Sequence, residues 1–127
     1  MNIILLALFG AVGVISRYGL DNLVMRWSAT ELPLSTFVIN CIGSIGIGAM
    51  YVASNELNLV PTNIAVLLTV GLLGGFTTFS AYSIQTFQLF EQGKFVVGAA
   101  YFIGSPIAGL LCAFVGVVLA RMALGAQ

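Results

Sequence analysis

The side chains of this protein that could do chemistry are hydroxyls, one amide and a few aromatic rings, all set within long apolar stretches. Thr36, Asn40 and Ser44 recur every four residues, and Gly98, Tyr101, Ser105, Gly109, Cys112 and Gly116 follow steps of three and four, so each set shares one helical face. Thr77, Thr78 and Ser80 crowd a single stretch, with Phe79 and Tyr82 three residues apart beside them. Hydroxyls and amides donate hydrogen bonds without formal charge, and aromatic ring edges are weakly positive. Such a lining suits a small anion that must shed part of its water and still be released. Water or a small polyol fits the same lining. Stripes of this kind can also hold helices together, at about 0.6 kcal/mol per hydrogen bond.

Other chemistry lacks its usual residues. There is no histidine, and none of the four acids falls inside an apolar segment, so metal sites of the usual donors and acid–base catalysis are not expected. Cys41 and Cys112 sit amid apolar neighbours, where a small sulfur side chain packs like alanine. The chain is not expected to be an enzyme or to have a nucleic-acid partner.

The elements that carry these residues belong in a bilayer. With 60% hydrophobic and 6% charged residues, and a mean hydropathy of +1.11, 127 residues cannot clothe a globule in polar side chains. Four segments are long enough to cross a hydrocarbon core of about 30 Å. They run from Ile3 to about Leu20, Leu34 to Ala53, Ile64 to Phe90 and Phe95 to Ala120, and form a single domain over residues 1–127. The first has no Lys or Arg before its apolar run and continues past signal-peptide length, so it reads as a retained helix.

Arg26 and Lys94 lie on one side, with Arg17 approaching them, against Arg121 on the other. That bias is weak under the positive-inside rule, and insertion in both orientations becomes thinkable. The third segment is the odd one. Its middle, Gly71 to Ser80, is dense in glycine and hydroxyls, and Gly costs about 1 kcal/mol relative to Ala in a helix. A break near this point would expose backbone that lipid cannot satisfy, which suggests an ion or substrate site. The alternative is that the glycines only allow close helix packing.

The stretch Gly74-Gly75-Phe76-Thr77-Thr78-Phe79-Ser80 resembles the signature of the Fluc fluoride channels, also called CrcB proteins. Further matches cover nearly the whole chain: Gly10 to Tyr18, Thr36 to Ser44, and Tyr101 with Ser105. The resemblance implies an all-α membrane protein whose third helix is broken near its middle. It implies an antiparallel, dual-topology dimer in the bacterial plasma membrane, with two fluoride pathways and a structural sodium ion at its centre. By position, the carbonyls of Gly74 and Thr77 would hold that sodium. Asn40, Thr36, Thr78, Phe79, Ser80, Tyr82, Tyr101 and Ser105 would line the pathway, and Arg17 would stand at an aqueous vestibule.

Two residues depart from the family pattern. Tyr82 replaces the second aromatic, usually Phe, and Gln85 stands where a Glu is expected. A Tyr82 hydroxyl aimed at the ion would hold it longer, so Tyr82→Phe is expected to raise flux. Two other classes share the small four-helix layout. A small multidrug-type, proton-coupled exporter requires a Glu in its first helix, and Ile3 to Leu20 has none. An accessory membrane subunit would explain the glycines but not the paired threonines.

Overall fold

The computed structural model describes residues 2–27 and 30–125. It is all helical among those residues, with four helical spans apolar enough to cross a membrane: Ile3–Trp27, Leu34–Glu56, Thr62–Glu91 and Phe95–Leu124. The first span is helix α1, which runs beyond the apolar segment through Asp21 and Arg26 to Trp27. Charge does not stop a helix, and a basic residue in the last turn, here Arg26, complements the negative end of the helix dipole.

Helix α2 covers Leu34–Tyr51 and is continued by a π-helical turn, Val52–Glu56. The third span is composite. After Pro61 it comprises α3 (Thr62–Val66), a π-helical segment Leu67–Leu73 and the single turn α4 (Gly74–Phe76). Thr77 (φ −81°, ψ 161°) and Thr78 (φ −152°, ψ 116°) are extended, and α5 follows over Phe79–Glu91. Gly93, at φ +73°, then closes a tight link in which Gly93 donates to the Phe90 carbonyl and Lys94 to that of Leu89. This left-handed glycine cap satisfies the end of α5 and starts α6 (Phe95–Leu124) almost at once.

Helix α6 has 30 residues, about 45 Å at 1.5 Å per residue, so it must tilt or project beyond a core of about 30 Å. Its buried residues are Gly98, Tyr101, Ser105, Gly116 and Ala120, which keeps most of the small and polar stripe on the inner face. Helices α2 and α6 approach so closely that a Cβ on Gly48 would strike the Ala113 carbonyl, and one on Gly116 the Ile45 carbonyl. Helix α1 lies equally close to the third span. A Cβ on Gly13 would meet the Leu72 carbonyl, and one on Gly75 the Gly10 backbone. Gly74 and Gly75 are helical, and the extended dihedrals belong to the threonines. These contacts match the use of small residues where membrane helices touch.

Ion pairs tie the ends of the bundle. Arg121 grips Glu56 in a bidentate pair along one edge of its guanidinium, Nε donating to Oε2 at 3.0 Å and Nη2 to Oε1 at 2.6 Å. Lys94 Nζ lies 3.3 Å from Glu31 Oε1 near the other end.

Candidate functional site

The centre of the site is a side-chain amide that pairs with the backbone of one extended residue. Asn40, on α2, accepts from the Thr78 amide at 2.9 Å through Oδ1 and donates from Nδ2 to the Thr78 carbonyl at 3.1 Å. In a continuous helix the Thr78 amide would bond back to the carbonyl of Gly74. Here Asn40 has taken that donor. Asn40 thus satisfies the Thr78 amide, which the extended conformation strips of its helical partner, and adds a donor to the Thr78 carbonyl.

The threonines finish the junction. Thr77 Oγ1 donates to the Leu73 carbonyl at 3.0 Å, closing the helix before it. Thr78 Oγ1 accepts from the Ala81 amide at 3.2 Å and so caps the N-terminus of α5. Ser80 Oγ lies 3.3 Å from Thr78 Oγ1. Gly43 leaves room on α2 for the Thr77 methyl group.

Asn40, Ser44, Gly74, Thr77, Thr78 and Phe79 line one open cavity of about 360 Å³. The N-terminus of α5 opens on this cavity, adding the partial positive charge of a helix start without any ionised side chain. Phe79 is 78% exposed in the single chain, and Gly74 and Ser80 are exposed with it.

A second cavity is lined by Arg17, Asp21, Thr36, Thr78 and Gln85. Thr78 therefore borders both spaces. Thr36 is buried at 3% exposure, and Arg17 lines the cavity together with Asp21, a carboxylate just beyond the first apolar segment. Tyr101 and Ser105 line a third, mainly apolar groove with Leu32, Pro33 and Phe37. A row of rings joins the groups: Phe79 to Tyr82 at 5.5 Å between centroids, and Tyr82 to Tyr101 at 5.4 Å.

The two departures from the family pattern both act as fasteners. The Tyr101 hydroxyl donates to Gln85 Oε1 at 3.2 Å, and the Tyr82 hydroxyl donates to the Phe102 carbonyl at 2.7 Å. The Tyr82 hydroxyl would hold an ion only if aimed at it, and here its one proton is spent on α6. Gln85 had no assigned partner in the sequence because its contact, Tyr101, is on another helix.

Among the described residues no cluster of three or more His, Cys, Asp or Glu could hold a metal. Any cation held here would need backbone oxygens, and freed carbonyls beside a non-helical stretch are of the kind that suits a hard monovalent cation. The Gly74 carbonyl, whose helical donor is diverted to Asn40, and the Thr77 carbonyl, on an extended residue, have that character.

Comparison with known proteins gives one consistent likeness. Residues 4–117 match the family described as CrcB-like protein, Camphor Resistance (CrcB). A relative from Methylobacillus flagellatus is 38% identical over 126 residues, covering 98% of each chain. One from Geobacter metallireducens is 36% identical over 121 residues, 95% of this chain and 98% of its own. One from Chloroflexus aurantiacus is 35% identical over 120 residues, 94% and 95% of the two chains. All three are named "Fluoride-specific ion channel FluC".

Proposed function

The chain belongs to the CrcB family, and from that premise we propose that it is a fluoride-selective channel through which fluoride leaves the cytoplasm passively. The observation that carries the reading is the likeness, over nearly the full length of both chains, to relatives named as fluoride-specific channels. The site supports it chemically. Its donors around Asn40, Thr78 and Phe79 are neutral, and a helix N-terminus supplies partial positive charge. An outward step of one anion across 100 mV, interior negative, is favoured by about 2.3 kcal/mol, so no coupled proton is needed. Purified protein in liposomes should release fluoride and retain chloride when followed with ion-selective electrodes. Equal loss of the two anions would defeat the proposal.

The assembly we infer is a dimer of two copies in opposite orientation, with two pores and a sodium ion between them held by the Gly74 and Thr77 carbonyls. Thr77 and Thr78 are then a break in the third span at membrane depth. The open cavity and the 78% exposure of Phe79 favour it, since a second copy would enclose what one chain leaves bare. So does the charge pattern: Arg26 and Lys94, with Arg17 approaching them, against Arg121 make only a small orientation bias. The native setting would be the bacterial plasma membrane. A single cysteine at one terminus, with Cys41 and Cys112 replaced, should be labelled from both sides of intact cells. Labelling from one side alone would exclude the antiparallel dimer.

The exporter reading is disfavoured by α1. Its one carboxylate, Asp21, lies toward the helix end in a cavity with Arg17, rather than alone in mid-span.

A further inference from the structure

Helix α6 contains Pro106, and the consequence falls on Phe102. In an α-helix the carbonyl of residue 102 accepts from the amide of residue 106, but proline has no N–H and its ring crowds that same carbonyl. Within an apolar span no lipid group can replace the lost donor. The oxygen is nevertheless served: the Tyr82 hydroxyl, from α5, donates to it at 2.7 Å. Tyr82 is only 5% exposed, and its ring is flanked by Phe79 and Tyr101.

We propose that Tyr82 is a positioning residue whose hydroxyl stands in for the missing amide of Pro106, and that this bond fixes the ring against which Phe79 packs. A phenol has one proton to donate, and it is used on α6. What passes Phe79 therefore meets the ring of Tyr82, not a free hydroxyl. Removing the hydroxyl does not relieve a trap for the ion. It orphans a carbonyl and frees the ring, so Tyr82→Phe slows passage, the opposite of what the sequence alone leads one to expect. The effect on flux rests on the fluoride-channel reading, whereas the substitution of phenol for amide does not.

The pairing predicts a specific rescue. Pro106→Ala restores the amide that Phe102 lacks, and alanine favours the helix. In the parent protein, Tyr82→Phe should lower the thermal unfolding midpoint in detergent by about 4 °C. It should also lower fluoride efflux per reconstituted protein by about tenfold. In the Pro106→Ala background the same substitution should leave both nearly unchanged. Equal losses in the two backgrounds, or no loss in either, would overturn the proposal. If Tyr82→Phe alone fails to fold, recovery of a folded protein on adding Pro106→Ala supports the pairing, and a double variant that also fails to fold rejects it. If the parent passes no fluoride, the channel reading falls while the thermal cycle still decides the bond.

Discussion

Asn40→Asp should reduce fluoride efflux to nearly the leak of empty liposomes while the protein still folds and reconstitutes. In the parent, Oδ1 of Asn40 accepts from the Thr78 amide and Nδ2 donates to the Thr78 carbonyl. Aspartate keeps the first contact and sets an oxygen against an oxygen in the second, at the 3.1 Å where an N–H stood. It also fixes a negative charge on the wall of the cavity shared with Phe79. Two like charges 4 Å apart repel by about 4 kcal/mol at an effective dielectric of 20, roughly a thousandfold in anion occupancy. Asn40→Leu separates the two effects, because it loses both bonds and adds no charge. Electrode-measured efflux that stayed normal in Asn40→Asp would remove Asn40 from the pathway.

Phe79→Ile is expected to block flux almost as completely, for a different reason. Phe79 is the first residue of α5, lines the Asn40 cavity and exposes 78% of its surface in the single chain. A side chain so little packed within its own chain contributes little to that chain's stability, so the substitution spares the fold of the protomer. What it deletes is the ring quadrupole, whose positive edge attracts an anion too softly to hold it. On this account the two aromatics of the pair differ: Phe79 would act through its ring, and Tyr82 through the bond that its hydroxyl makes to α6. Parent-like efflux from Phe79→Ile would make Phe79 an ordinary packing residue and end the aromatic-edge account.

Much of the architecture was legible because hydropathy and helical period act locally. All four spans followed from hydropathy and length, and spacing put Tyr101 with Ser105 on one face of α6 and Thr36 with Asn40 on one face of α2. The end of α1 did not, since Asp21 and Arg26 mark where apolar sequence stops rather than where hydrogen bonding does. Around residues 71–80 two readings of the glycines competed. Gly71 and Gly75 press α1 backbone and side chains, whereas the extended dihedrals fall on Thr77 and Thr78, whose hydroxyls find local partners.

The partner of the Tyr82 hydroxyl was not legible because its acceptor is a carbonyl on another helix. That carbonyl is free only because of a proline one turn further on. The proline was visible, but the neighbour that answers it is a tertiary fact. Likewise, periodicity put Thr36 and Asn40 on one stripe, yet the chain parts them between two cavities that meet at Thr78.

The two terminal ion pairs have a further consequence, in the time order of synthesis. Each joins an acid from the first half of the chain to a base from the second: Glu31 to Lys94 and Glu56 to Arg121. While the first two spans are being made, the nascent chain holds Arg17 and Arg26 against Asp21, Glu31 and Glu56, one acid more than it has bases. Both bases that later pair are still unmade. The bases present early, Arg17 and Arg26, are thus not the bases of the two ion pairs, which can form only once Lys94 and Arg121 have been added to the chain.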